Sequence, residues 1–331
     1  MSAAKNPFAV KNDSFVHVFE VGARDGLQNE KVEISLEQKL MLIAGLKAAG
    51  LKHLEVGAFV RADRVPQMAD SEEVFRRADL KGVHAWSLVP NRKGLERAIE
   101  VGVKNIAIFT AATESFAQRN IRMSIPQSLS EFKEVVAVAR KKKILVRGYV
   151  STAFGCPFEG KVAPKKALKV VESLWRLGVE QVSIGDTIGV ATPEGIEAVF
   201  KPALKMMKKA GTAAHLHDTR GTALANALRA MDLGVRTFDS SAGGLGGCPF
   251  APGATGNLAT EDLIYLLNGM GMKTGVNLDR LCEISLKFSR QIAGGLGRPL
   301  GSRYLAAYAA KCADIAASGV GESGSVAGES G

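Results

Sequence analysis

Short runs rich in Val, Ile and Phe recur along the chain, separated by longer stretches in which apolar residues return at helical spacing. Strands buried on both faces read as continuous apolar runs of this kind. With amphipathic helices between them, they are the pattern of βα units building a parallel sheet. Eight such runs are predicted as strands: 15–21, 52–56, 83–88, 105–109, 144–151, 181–184, 212–217 and 235–240. Helix starts are marked by Ser35 before Leu36, Pro126 after Ile125, Pro164 after Ala163 and the entry Thr192-Pro193-Glu194. Gly50, Gly102, Gly178, Gly211 and Gly234 each follow a helical stretch and precede the next strand, the place of a left-handed helix cap.

Eight successive βα units indicate an α/β fold of the (β/α)8 TIM-barrel type. A doubly wound sheet is disfavoured, because no Gly-x-Gly-x-x-Gly follows the first strand. The expected organisation is an N-terminal extension (1–13), a barrel (14–274), a C-terminal helical addition (275–317) and a disordered tail (318–331) of Gly, Ser, Ala and Glu. In such a barrel, chemistry belongs at the C-terminal ends of the strands and in the loops that follow them.

Composition narrows the partners. The 331 residues are 46% hydrophobic, enough for a full core, and no apolar run approaches the roughly 18 residues needed to cross a bilayer. The first residues are too short and mixed for a signal peptide, and Cys156, Cys248, Cys282 and Cys312 lie far apart, so free thiols and a cytoplasmic location are expected. The net charge of +10 asks for an anionic partner. Basic residues are spread over the helices, and aromatics are only 6% without interleaving a basic run, which argues against nucleic acid and a membrane surface. Lys141 to Lys143 close a helix before a strand, where cations suit the helix dipole. A phosphorylated small molecule remains.

The sharpest chemical signal is Ala214-His215-Leu216-His217-Asp218. Residues i and i+2 of a strand point the same way, so both imidazoles converge on one point, as metal ligands do. In the barrel frame, Asp25 (loop 22–30) and Asn257 (after the eighth strand) reach the same face. Asp25, His215, His217 and Asn257 offer two imidazoles, a carboxylate and an amide oxygen, a set that suits Mg²⁺ or Mn²⁺. Taken singly, Asp25 also reads as a loop carboxylate paired with Arg24, and Asn257 as a turn residue beside Gly256. The loop 241–257 carries four glycines before Cys248. Such a lid can swing a thiol over a cation that lowers its pKa, fitting it to protonate a carbanion. Cys156 reads as structural, and Cys282 and Cys312 suggest no chemistry.

These residues resemble a known family. Glu20-Val21-Gly22-Ala23-Arg24-Asp25-Gly26-Leu27-Gln28-Asn29-Glu30, Val65-Pro66-Gln67-Met68, Ser183-Ile184-Gly185-Asp186-Thr187-Ile188-Gly189-Val190, His215-Leu216-His217-Asp218-Thr219, and Gly244 to Asp262 with its Gly-Gly-Cys-Pro are similar to the 3-hydroxy-3-methylglutaryl-CoA lyases, metal-dependent barrels of the lyase and Claisen-synthase superfamily. The similarity covers about 14–295. It implies retro-Claisen cleavage of an acyl-CoA to acetyl-CoA and acetoacetate, with Mg²⁺ or Mn²⁺ chelated by the substrate. It further implies Asp186 as the base, with His215 second, Arg24 stabilising the enolate, Glu55 orienting Arg24, and Cys248 protonating the enolate. A homodimer is implied too, and Arg119, Arg122, Lys161, Lys165 and Lys166 are candidates for the CoA phosphates. Ala58 stands where serine is usual, and Arg220-Gly221-Thr222 replaces Tyr-Gly-Gln. These departures bear on acyl-chain specificity and admit a longer or branched 3-hydroxyglutaryl-CoA as substrate. The alternatives are a condensing isopropylmalate or citramalate synthase, which lacks the cysteine loop and carries a regulatory domain, a pyruvate-forming aldolase, and a non-catalytic anion binder with steep salt dependence.

Overall fold

The structure is a computed structural model that describes residues 6–10, 12–28, 30–247, 256–292 and 300–317. The predicted tail, 318–331, lies outside them. Eight parallel strands close into a barrel: β1 (His17–Glu20), β2 (His53–Ala58), β3 (His84–Leu88), β4 (Asn105–Ala111), β5 (Leu145–Ser151), β6 (Gln181–Asp186), β7 (Thr212–Leu216) and β8 (Thr237–Ser240). Each strand pairs with its chain neighbour, and β8 returns to β1 through the register Phe19↔Asp239. Every expected strand is present, the largest shift at either end being a few residues. β2, β4 and β6 run further than expected, by Gly57-Ala58, Thr110-Ala111 and Gly185-Asp186, where small or polar residues break the apolar stretch but the ladder carries on.

The punctuation of the chain works as its chemistry dictates, with one exception. Ser35 and Ser124 form capping boxes with Gln38 and Gln127, satisfying helix N–H groups that have no partner within the helix. Gly50 (φ +102°) and Gly234 (φ +113°) are left-handed, as are Gly102 and Gly178. Gly211 is not: the reversal is made by Lys208 (φ +60°) inside helix Pro193–Gly211. Gly211 instead lies against the Trp175 indole, where a Cβ would come within 2.9 Å of a ring carbon, so that glycine serves space rather than backbone conformation.

The ring of helices closes where Leu278–Gln291 packs on Leu36–Ala48, with Gly45 directly beneath Ile284. A further helix, Arg303–Ala317, follows, started by Asp262, whose carboxylate accepts from Ser302 Oγ and the Tyr304 amide. The N-terminal segment seals the other end of the barrel. Phe8 is fully buried, stacked on His53 at 4.7 Å and on Trp86 at 5.5 Å. No helix among the described residues is long and apolar enough to cross a membrane.

Candidate metal and substrate site

Alternation along β7 turns His215 inward, and His217, just past its end, points the same way, with the two Nε2 atoms 3.2 Å apart. After β1 the chain makes one wide helical turn, Gly22–Gly26, that presents Arg24 and Asp25 to the same space. The third approach is made by backbone pairing. Residues 256–258 run antiparallel to the end of β7, with Leu258 N donating to Leu216 O at 2.9 Å and His217 opposite Asn257. This return needs glycine, since a Cβ on Gly256 would lie 1.7 Å from Gly246 O. Asp25, His215 and His217 bring ligand atoms within 4.8 Å of one another. Asn257 Nδ2 donates to Asp25 Oδ2 at 2.9 Å and to Leu245 O at 3.1 Å. The Arg24 pairing expected for Asp25 is present beside the cluster, whereas Asn257 sits in the bridge to His217 rather than in a turn.

Beneath the cluster, Arg24 is held from two sides. Its Nε and Nη2 lie 2.7 and 2.6 Å from Glu55 Oε2, and its Nη1 donates to Asp25 Oδ1 at 2.6 Å. Glu55, wholly buried inside β2, also accepts from Tyr149 OH at 3.1 Å. On the far side of His215, Asp239 Oδ2 lies 3.2 Å from its Nδ1, and Asp239 is paired with the buried Arg147. Burial pushes the Glu55 carboxyl up, and Arg24 only partly offsets it. Burial also raises Asp25, but Arg24 and the two imidazoles outweigh it and hold that carboxyl at about 2. Burial and the neighbouring His215 drive His217 down to about 4. At neutral pH this leaves an ionised carboxylate beside a neutral imidazole, the states that metal ligands require.

The donors fit a hard divalent cation. Asn257 Oδ1 is buried without a hydrogen-bond partner among the described residues although its amide nitrogen is doubly used, an unsatisfied oxygen next to a carboxylate and two imidazoles. Above lies a cavity of about 780 Å³. Arg24, Asp25, Tyr149, His215 and His217 form its floor, and Phe59, Val60, Leu88, Phe109 and Phe116 an apolar wall. Exposed Arg61, Arg64, Lys93, Arg119 and Arg122 make a basic rim.

Not every expected residue converges. Asp186 is turned away: Ser183, Gly185 and Thr187 line the cavity, so period two sends Asp186 to the opposite face, where its two oxygens accept the Val190 and Ala191 amides at 2.9 Å each. Of the two groups considered as base, only His215 faces the cavity. Lys161, Lys165 and Lys166 do not line it, and Lys166 pairs with Glu159. Ala58 and Arg220 do not line it either. The Ala58 amide donates to Ser71 Oγ, and the Arg220 guanidinium holds the Ile188 and Gly189 carbonyls. Cys248 lies outside the described residues, though Gly247 before it lines the cavity. Sequence reading missed Tyr149, Arg147, Asp239, Arg61, Arg64 and Lys93. A charged residue inside an apolar strand, as in Val146-Arg147-Gly148-Tyr149 and Thr237-Phe238-Asp239, was the available signal for the interior ones.

Comparison with known proteins accords with this geometry. The HMGL-like family model matches residues 15–287. The chain is 47% identical over 297 residues to hydroxymethylglutaryl-CoA lyase of Pseudomonas mevalonii, spanning 89% of this chain and 98% of that protein. It is 46% identical over 297 residues, with the same coverage, to 3-hydroxy-3-isohexenylglutaryl-CoA/hydroxymethylglutaryl-CoA lyase of Pseudomonas aeruginosa. Among solved structures, an HMG-CoA lyase from Acinetobacter baumannii in complex with coenzyme A and 3-methylmalate superposes with a TM-score of 0.83 at 33% identity, covering 97% of this chain and all of that one. The barrel, the residues at its mouth and these relationships together make the chain a member of the HMGL-like family, whose relatives here are hydroxymethylglutaryl-CoA lyases that cleave carbon–carbon bonds.

Proposed function

We propose that this protein cleaves 3-hydroxy-3-methylglutaryl-CoA to acetyl-CoA and acetoacetate, with Asp25, His215, His217 and Asn257 holding Mg²⁺ or Mn²⁺. The observation that carries the reading is the convergence of Asp25, His215 and His217 beside the doubly held Arg24 at the floor of one cavity. When bound, the cation supplies Lewis-acid polarisation of the substrate's tertiary hydroxyl and fixes its orientation. Arg24, immobilised by Glu55, stabilises the charge that develops on the thioester oxygen as the carbon–carbon bond breaks. A positioned donor of this kind contributes about 3 to 4 kcal/mol to a transition state in a water-excluded site. Cys248, one residue beyond the cavity-lining Gly247, donates the proton that turns the acetyl-CoA enolate into product, and the thiolate left behind is reprotonated, through solvent, by the proton that the tertiary hydroxyl releases as it becomes the ketone. Arg61, Arg64, Lys93, Arg119 and Arg122 hold the phosphates of CoA at the rim. The reading carries with it a cytoplasmic homodimer.

The test is acetoacetate release by the purified protein with Mg²⁺, with Mn²⁺ and with EDTA, alongside Cys248→Ala. Activity that requires the cation and collapses in Cys248→Ala is the expected result. Activity undiminished by exhaustive chelation would remove the metal from the mechanism. A second reading, a longer or branched 3-hydroxyglutaryl-CoA, is favoured by the apolar wall of the cavity and by the substrate name of the Pseudomonas aeruginosa relative. A higher kcat/KM for the isohexenyl thioester than for the methyl one would select it.

A further inference from the structure

Arg147 and Asp239 form an ion pair buried to 0% exposure inside the barrel, and neither lines the cavity. An isolated buried pair of this kind is weak evidence for stability, so its place needs another reason. Asp239 Oδ1 accepts from Arg147 Nη2, and Oδ2 accepts from Arg147 Nη1 at 3.1 Å and from Ser183 Oγ at 2.7 Å. A carboxylate fed by a guanidinium fork and a hydroxyl can only accept further bonds. His215 Nδ1, 3.2 Å from the same Oδ2, must therefore be the donor. In a neutral ring that assignment leaves the lone pair on Nε2, the atom 3.2 Å from His217 Nε2 within the cluster with Asp25. His217 differs, because its Nδ1 is buried with no hydrogen-bond partner among the described residues.

The clamp is itself immobile. The Arg147 guanidinium carbon lies 3.9 Å from the centre of the Phe19 ring and 4.9 Å from that of Tyr149. Arg147 Nε donates to Gln181 Oε1 at 2.9 Å. We propose that Asp239, held by Arg147 and Ser183, is a positioning residue that locks His215 in its Nδ1–H tautomer and aims the Nε2 lone pair at the cation. The inference rests on the reading of Asp25, His215, His217 and Asn257 as a metal site, and of the two imidazoles it gives the preset geometry to His215.

Asp239→Asn tests it. The amide is nearly isosteric but can donate to Nδ1, which admits the opposite tautomer with its proton on Nε2. Two readouts on the full-length protein decide the matter: Mn²⁺ binding followed by electron paramagnetic resonance, and the imidazole tautomers from long-range ¹H–¹⁵N spectra of the metal-free protein. The expected result is Mn²⁺ affinity weakened about 10- to 100-fold, with the Nε2–H form of His215 newly populated. Asp239→Glu, which keeps the carboxylate, should restore the Nδ1–H signature. If Asp239→Asn fails to fold for want of a partner for Arg147, the Arg147→Met/Asp239→Asn double variant leaves neither position with an unpaired charge and reports the same two readouts. Wild-type protein that binds no stoichiometric Mn²⁺, or binds it equally as Asp25→Asn, would sink the metal reading. Undiminished affinity in the asparagine variant, with His215 still in its Nδ1–H form, would overturn the positioning role while leaving the metal reading standing.

Discussion

Arg24 and Glu55 are the pair whose removal the structure predicts most sharply. Glu55 Oε2 receives Arg24 Nε at 2.7 Å and Tyr149 OH at 3.1 Å, with Arg24 Nη2 2.6 Å away, and Glu55 is 0% exposed. Removing one member of such a pair costs about 3 to 5 kcal/mol, because the other charge is left buried without its partner. The two single variants should differ. Arg24→Met leaves a carboxyl that burial already pushes up, so it can take a proton and settle near the lower figure. Glu55→Leu leaves a guanidinium that cannot lose its proton, with Asp25 as its remaining anion, and should settle near the upper one. The double variant removes both charges together and should lose no more than about 3 kcal/mol, far below the sum. Urea unfolding of the four proteins measures this. A pH signature separates the causes: with its pKa raised above the unfolded value near 4.3, the Glu55 carboxyl in Arg24→Met contributes stability below that value and loses it as pH rises through the folded pKa. Arg24→Met should therefore be less destabilised at pH 5 than at pH 8. Single losses below about 1 kcal/mol that add within about 0.5 kcal/mol would refute the reasoning.

Phe8→Ala should cost about 3 to 5 kcal/mol in urea unfolding, since Phe8 is fully buried against His53 and Trp86. A loss below about 1 kcal/mol would mean that the N-terminal segment does not seal the barrel. His17, His53 and His84 all have pKa values lowered by burial, so the unfolded chain binds more protons, and stability present above about pH 6.5 falls as the pH drops. His53→Phe, which keeps the stack on Phe8, should flatten that acid slope, and an unchanged slope between pH 7 and pH 5 would reject the assignment. Gly45→Ala would put a Cβ 2.1 Å from Ile284 Cγ1 and should lower stability by about 1 to 3 kcal/mol, with acetoacetate release unchanged. Restored stability in Gly45→Ala/Ile284→Ala is the expected check, and no recovery would place the strain elsewhere.

Much of this architecture was legible in the chain because its causes are local. Strand and helix periodicity, capping serines and left-handed glycines act within a few residues, so the eight strands and their helix starts could be read directly, and period two alone put His215 and His217 on one face. The same period applied to Ser183 and Gly185 would have turned Asp186 outward, but that needs to know which face of the strand is the inner one, and only closure of the barrel decides it. Gly211 looked like a helix cap until the Trp175 ring occupied the space beside it. Asn257 reaches His217 through backbone pairing between segments 40 positions apart, and Arg147 meets Asp239 across 92. The rim assembles Arg61 and Arg64 from the loop after β2, Lys93 from helix Arg92–Glu100, and Arg119 and Arg122 from helix Glu114–Ile121 and its cap, segments that share no local pattern. Short-range sterics and hydrogen bonding are written residue by residue, whereas which side chains meet inside a closed barrel depends on the simultaneous pairing of all eight strands.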